Sequence, residues 1–142
     1  MRGLEQLDAL MGEWAVASKK YPEGRGRTTA RPTEDGKFVR VESQMEDERF
    51  PRSVQVVGSD DESEDCIALY FDSRGVHRVY HMRVADGEWR AWRDAPGFNQ
   101  RYIGKISADG KTIAGQWEFS KDGKSWNVDF DLTYTKVGNG EP

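Results

Sequence analysis

Basic and phenolic side chains share faces with aromatic rings on predicted strands in the middle of the chain. Arg78 and Tyr80 fall on one face of the segment VHRVYHM, because successive side chains of a strand point to opposite sides. Gln100 and Tyr102 share a face of the segment FNQRYIGKI in the same way. If the aromatic residues look inward, Arg78 and Gln100 look inward with them. A buried guanidinium is costly unless a carboxylate, a hydroxyl, water or a ligand anion pairs with it, so the pattern predicts a site for an anionic group.

Tryptophans in the segment EWRAWRD extend this candidate site. Trp89 and Arg93 share one face of the predicted strand, and Trp92 lies on the other face. Aromatic rings beside an arginine can hold an amphipathic ligand, with its acid on the guanidinium and its body on the rings. The residues that we predict to bind a ligand are Arg78, Tyr80, Trp89, Trp92, Arg93, Gln100, Tyr102 and Trp117.

A purely structural explanation of the two arginines stays open at this point. Arg78 and Arg93 could instead point to water or pair with carboxylates in the wall. The candidate carboxylates are Asp72, Asp94 and Glu118. In that case the arginines would stabilise the wall and would not contact a ligand.

The histidines and the cysteine do not form a pattern that binds a metal. His77 and His81 share a strand face but lie roughly 13 Å apart at a rise of ~3.3 Å per residue, too far for one zinc ion. Cys66 is the only cysteine, so an intramolecular disulfide is impossible, and we interpret it as a small buried hydrophobic residue. The sequence contains no G-x-S-x-G, phosphate-binding loop or H-E-x-x-H motif. It therefore predicts no catalytic residue and no metal ligand.

Length and charge indicate one domain, residues 1–142, without nucleic-acid or membrane partners. The chain has 142 residues and a net charge of −4, with 21 basic residues that alternate with 25 acidic ones. A nucleic-acid-binding domain is expected to carry a clustered basic face instead. The sequence begins without an apolar signal-peptide core, and no segment approaches the 18 apolar residues of a membrane span. We expect a cytoplasmic protein, which also fits the single cysteine.

Turn signals about every 8 to 14 residues divide the chain into many short segments. Asp-Gly pairs, as in EDG, ADG and KDG, are the strongest short-range signal of a β-hairpin. Consecutive hairpins at this spacing predict an all-β fold, an antiparallel up-and-down β-barrel whose closure removes exposed strand edges. We count about ten strands, at 13–20, 26–32, 37–46, 53–58, 65–72, 75–84, 88–94, 98–107, 112–120 and 125–136.

The two ends of the chain differ from this pattern. Residues 1–11 predict a short helix, with Leu4, Leu7 and Leu10 on one stripe that could plug an end of the barrel. The tail at 138–142 is predicted to be frayed.

The last strand alternates most clearly between apolar and polar side chains. A period of two with one apolar face is what the wall of a barrel requires. We predict that its inward residues are Trp126, Val128, Phe130, Leu132 and Tyr134.

Several of these segments resemble a known family of barrels. LxxLMGEWAV looks like the Gly-x-Trp opening of calycins, in which a short helix leads into the first strand and a tryptophan, here Trp14, closes the floor. Three further segments resemble a group of bacterial, largely actinobacterial, lipocalin-like proteins of unknown function. These segments are YFDSRGVHRVYHM, WRAWRDAPGFNQRYIG and GQWEFSKDGKSWNVDFDLTYTKV. More distantly, the chain is similar to nitrobindins and fatty-acid-binding proteins. The resemblance implies a calycin-like cup, and it transfers no established chemistry.

The resemblance leaves several functions open. A fatty-acid-binding protein holds a carboxylate with an Arg and a Tyr, under a helical lid that the short segment YPEGRGRT cannot form. A nitrobindin binds haem through a histidine late in the chain, and here His77 or His81 would have to replace it. Some lipocalin-like barrels are cyclases or isomerases. We favour a non-enzymatic binding protein for a small ligand, without a cofactor, as a monomer or a homodimer.

Overall fold

Ten antiparallel strands follow one another around a closed barrel in the computed structural model, which describes residues 3–138. Each strand pairs with its neighbours in sequence, and β1 pairs with β10 to close the sheet. The strands are β1 (Gly12–Ala17), β2 (Gly26–Pro32), β3 (Val39–Met45), β4 (Ser53–Ser59), β5 (Cys66–Asp72), β6 (His77–Ala85), β7 (Glu88–Arg93), β8 (Asn99–Ile106), β9 (Thr112–Ser120) and β10 (Asn127–Gly138).

The predicted fold class, an antiparallel up-and-down barrel of ten strands with a short N-terminal helix, is confirmed. All ten predicted strands are present, with ends that differ from the observed ones by at most three residues. The helix is a 3₁₀ helix, Gly3–Leu10. Gly138 ends β10, and the rest of the tail predicted to be frayed lies outside the described residues. Within residues 3–138, no helix is long and apolar enough to cross a bilayer.

The turn chemistry explains the regular meander. Between β6 and β7, Asp86 and Gly87 both have positive φ angles, of 54° and 74°. Two consecutive residues with positive φ make the two-residue hairpin turn whose twist matches that of the flanking strands. Asp-Gly is suited to it because Gly has no Cβ and Asp tolerates this conformation.

One end of the barrel is closed by the 3₁₀ helix and filled with apolar side chains. Leu7 and Leu10 are buried there against Trp14, whose indole N–H donates a hydrogen bond to the Leu10 carbonyl oxygen (2.9 Å). The remaining void is about 20 Å³. Cys66 is also buried in this core, and burial raises the pKa of its thiol to about 11. Packing therefore accounts for Trp14 and Cys66, as the sequence predicted.

A β-bulge changes the predicted pattern of the last strand. On β9, Glu118 and Trp117 are consecutive residues. Glu118 pairs with Val128 and Trp117 pairs with Phe130, so Asp129 is an extra residue in β10. The prediction that Val128 and Trp126 face inward is therefore wrong. Val128 is 58% exposed, and Trp126 lies against the Arg101 guanidinium, 4.0 Å from the ring centre. Phe130, Leu132 and Tyr134 line the cavity.

Candidate functional site

The end of the barrel away from the 3₁₀ helix encloses a cavity of about 400 Å³. Its size falls within the range of small-molecule sites. The interior is therefore not filled by its tryptophans. Of the eight predicted ligand-binding residues, six line this cavity, and these are Arg78, Tyr80, Trp89, Gln100, Tyr102 and Trp117.

Aromatic rings form a continuous wall on one side of the cavity. Tyr102 is its centre: its ring centre lies 5.1 Å from that of Trp89, 5.5 Å from that of Trp117 and 6.2 Å from that of Tyr134. Tyr80 continues the wall at 5.7 Å from Trp117. Edge-to-face and tilted pairs at these spacings are favourable and hold each ring in one orientation.

Two glycines allow Tyr102 to occupy its position. A Cβ on Gly104 would lie 2.7 Å from the Tyr102 ring, and a Cβ on Gly115 would lie 2.8 Å from it. Gly104 and Gly115 are direct partners across β8 and β9. The Tyr102 hydroxyl donates to the Leu132 carbonyl oxygen (3.0 Å), which fixes the ring further.

The opposite side of the cavity is polar. Gln55, Tyr70 and Arg78 are directly paired across β4, β5 and β6, and all three point into the cavity. Ser53 extends this row on β4, and Thr28 and Ser43 are hydrogen-bonded to each other (2.8 Å) on β2 and β3. The cavity thus combines an aromatic wall with a wall of hydrogen-bonding groups.

Arg78 is the cationic group of this polar wall, and no described carboxylate pairs with it. Its guanidinium lies 5.7 Å from the centre of the Phe98 ring, at the mouth of the cavity. Two of the carboxylates proposed as its structural partners are engaged elsewhere: Asp72 pairs with Arg74, and Glu118 pairs with Arg101 (2.6 Å each). Over residues 3–138, Arg78 makes no ion pair and no side-chain hydrogen bond. Carboxylate pairing in the wall therefore does not account for Arg78, which is half-buried and lies against the Phe98 ring.

A second arginine, Arg74, also lines the cavity, and a buried carboxylate holds it in place. The Asp72 side chain is fully buried and accepts hydrogen bonds from Arg74 (2.6 Å) and from the Tyr70 hydroxyl (2.8 Å). Burial alone would raise the pKa of Asp72, but the hydrogen bonds from Arg74, Tyr70 and two backbone N–H groups outweigh it and hold the pKa below its usual range. Asp72 therefore remains ionised and holds Arg74, which lines the same cavity as Arg78.

Burial keeps three phenols around the cavity neutral. Burial raises the pKa of Tyr102 and of Tyr134, and burial together with the bond to Asp72 raises that of Tyr70. The Tyr80 hydroxyl donates to Oε1 of Gln100 (3.1 Å). The Trp89 indole N–H is buried and has no acceptor among the described residues. A buried donor without a partner costs free energy.

Two of the predicted residues lie outside the cavity. Trp92 is on the outer face of β7, where it stacks on His81 with ring centres 5.6 Å apart. It is three residues from Trp89, and side chains an odd number apart on a strand point to opposite faces. Arg93 shares the inner side of the strand with Trp89, but it ends β7 and donates to the Phe98 carbonyl oxygen (3.3 Å) without lining the cavity.

Both histidines of the chain also lie on the outer face of the barrel. His77 stacks on Phe71, with ring centres 4.6 Å apart, and its Nδ1 is 2.9 Å from the Tyr70 carbonyl oxygen. His81 packs on Trp92. Neither imidazole lines the cavity, so neither can replace the haem ligand that a nitrobindin-like site would need. Among residues 3–138, no cluster of three His, Cys, Asp or Glu side chains could hold a metal ion.

The cavity is also lined by two aromatic residues that the sequence analysis did not single out, Tyr21 and Phe50. Tyr21, in the segment between β1 and β2, packs edge-on against Phe50 and Phe130, with 5.9 Å between ring centres in each pair. Asp131 holds this segment by accepting from the Lys19 and Lys20 backbone N–H groups and the Ser18 hydroxyl, and these bonds lower its pKa to about 2.

The residues that sequence reasoning missed include Gln55, Tyr134 and Arg74. The one available signal for Gln55 was its place in SVQVVGS, where a polar residue between valines indicates a face of different character.

No protein-family model matches the chain, and no curated protein matches its sequence.

Proposed function

We propose that this protein is a calycin-like binding protein that holds a small amphipathic ligand with an anionic group in its cavity. The single observation that carries the proposal is Arg78, a cavity-lining guanidinium for which residues 3–138 supply no carboxylate partner. The anion would pair with Arg78, and Arg74 lines the same cavity. The apolar body would lie on the aromatic wall around Tyr102 and Trp117.

The composition of the cavity favours a ligand whose body is partly oxygenated rather than a plain alkyl chain. Polar groups lie beside the aromatic wall: the Arg78 guanidinium donates, and the Tyr70 and Tyr80 hydroxyl oxygens can still accept, because each O–H already donates to Asp72 or Gln100. A purely apolar tail would leave these hydroxyl oxygens without a donor, whereas a hydroxyl or N–H group of the ligand would satisfy them.

The alternative functions receive less support. A haem group held by histidine has no cavity-facing ligand in this chain, because both histidines lie outside. A cyclase or isomerase would need a Tyr or Arg positioned to polarise a carbonyl, and Arg78 is the residue that would do so. No observation favours catalysis over binding. The cytoplasmic location expected from the sequence stays a prediction.

The proposal is tested with a pair of fluorescent probes that differ in charge. 8-Anilino-1-naphthalenesulfonate carries the anion, and N-phenyl-1-naphthylamine has the same ring system without it. We expect the Arg78→Met variant to bind the sulfonate about tenfold more weakly than the wild type, because a charge-assisted hydrogen bond contributes roughly 1.5 kcal/mol or more. Affinity for the uncharged probe should not change. Fluorescence titration measures both.

The matched control is Arg90→Met, which removes the same charge from the outer face of β7, where Arg90 pairs with Glu88 (2.9 Å). This variant should bind both probes like the wild type. Equal affinity of the Arg78→Met variant and the wild type for the sulfonate, or an equal loss in the Arg90→Met variant, would contradict the proposal.

A further inference from the structure

The outer face of β4, β5 and β6 is apolar, although it lies on the surface of the barrel. Six residues form this outer patch, and they alternate along their strands with the residues that point inward. Leu69 is 41% exposed, Phe71 46% and Val79 44%. The outer patch consists of Val54, Val56, Ile67, Leu69, Phe71 and Val79.

The strand register makes these side chains contiguous. Val54, Phe71 and His77 are directly paired across the three strands, and Val56, Leu69 and Val79 form the next row. Ile67 pairs with His81, which stacks on Trp92 of β7. Directly paired side chains on one face lie about 5 Å apart, and successive rows lie about 7 Å apart along the strands, so the apolar side chains form one continuous surface.

Pairs of oppositely charged side chains flank the outer patch, and none lies within it. On β3, Arg40 and Glu42 pair with each other directly opposite Val56 and Val54. Beyond Trp92 on β8, Arg101 pairs with Glu118. At the end nearer the 3₁₀ helix, Arg83 pairs with Asp65. An apolar centre with a polar rim is the composition of a protein interface.

The size of the outer patch matches the centre of a standard interface. From β4 to β7 the three strand spacings span about 14 Å, and its three rows of alternate residues span about 14 Å along the strands. With the side chains included, the footprint is roughly 400 Å². A stable dimer buries about 800 Å² on each partner, of which the apolar part is the core and the rest a polar rim. The surrounding ion pairs would supply that rim.

We propose that a second copy of this chain covers the outer patch and forms a two-fold dimer. In such a dimer each patch meets the same patch on the partner, so a charged centre would repel itself and a neutral apolar one would not. The rim carries Arg and acidic residues side by side, which lets a two-fold place opposite charges together. Two sheet faces pack well at about 10 Å separation. The cavity opens at the end of the barrel and stays accessible in this arrangement.

Sedimentation equilibrium of the wild-type protein and two matched variants tests the dimer. Val79→Glu places a charge in the outer patch, and Val137→Glu places the same charge on β10 at almost the same exposure, 44% against 47%. We expect the wild type and Val137→Glu to be dimers with a dissociation constant of about 10 µM or tighter. The Val79→Glu dimer should be at least about 100-fold weaker.

The milder variant Val79→Thr keeps the β-branched shape and guards against a folding defect. It should weaken the dimer by about tenfold while its circular dichroism and thermal midpoint remain those of a folded barrel. A wild type that stays monomeric at 200 µM would overturn the proposal. The proposal would also be overturned if the Val79→Glu variant formed a dimer as stable as that of the Val137→Glu variant. Binding of the outer patch only to a different protein would overturn it too.

Discussion

The wall formed by β4, β5 and β6 differs from the wall formed by β9 and β10 around the cavity and on the outer surface. On β10, Leu132 and Tyr134 point inward, while Asp131 and Thr133 point outward, as expected for a barrel in water. On β4 to β6, the inner face is apolar at the closed end, where Val57 and Ala68 are buried, but Gln55 and Arg78 point into the cavity and the outer patch points outward. Burial of apolar surface explains the first wall. It does not explain the polar inner row or the outer patch of the second, which are the two features that our two proposals address.

The first prediction contrasts the two inner faces and has the largest expected effect. Ile113 of β9 is 1% exposed in the core, whereas Gln55 of β4 lines the cavity. Ile113→Ala should lower the free energy of unfolding by about 2–5 kcal/mol, because it deletes packed methyl groups and leaves a void. Gln55→Ala should change it by less than about 0.5 kcal/mol. Urea denaturation measures both, and a similar loss for the two variants would contradict the contrast.

The second prediction concerns the carboxylate that supports the polar wall. Asp72→Asn should lower the free energy of unfolding at pH 7 by about 2–3 kcal/mol, because a fully buried group loses its charged hydrogen bonds to Arg74 and Tyr70. The pKa of Asp72 is lowered in the folded protein, so its contribution is fully present above the ordinary value of 3.8 and is lost as the pH falls toward the lowered pKa.

The pH dependence gives this prediction its control. The loss of stability of the wild type between pH 5 and pH 2 should be shallower in the Asp72→Asn variant, measured by thermal unfolding at each pH. Parallel curves for the two proteins would show that Asp72 does not titrate as its hydrogen bonds imply.

The third prediction has the smallest effect and the opposite sign. Arg78→Met should raise the free energy of unfolding by about 0.5–1 kcal/mol, because a half-buried guanidinium without a described carboxylate partner is replaced by an apolar side chain of similar length. Arg101→Met, which breaks the pair with Glu118, should lower it instead. A loss of stability in the Arg78→Met variant would mean that Arg78 has a structural partner.

The sequence determines the fold well because the strands are short, alternate in character and are separated by Asp-Gly turns. It could not reveal the bulge at Asp129, since an extra residue becomes visible only when β10 is paired with β9. The sequence prediction includes Trp92 in the site because of its residue type, although its odd spacing from Trp89 places it on the other face of the strand. The outer patch could not be predicted from the apolar runs in CIALYF and SVQVVGS. A strand that is buried on both faces has the same kind of apolar run, so the sequence does not show which residues are exposed.

The most direct test of the contrast between the two faces is a crystal structure of the protein with 8-anilino-1-naphthalenesulfonate. This probe has both an anion and an apolar body, so it could bind either the cavity or the outer patch. We expect its sulfonate within hydrogen-bonding distance of the Arg78 guanidinium and its rings against Tyr80 and Trp117. A probe found only on the outer patch, with the cavity filled by water, would contradict the assignment of the cavity as the ligand site.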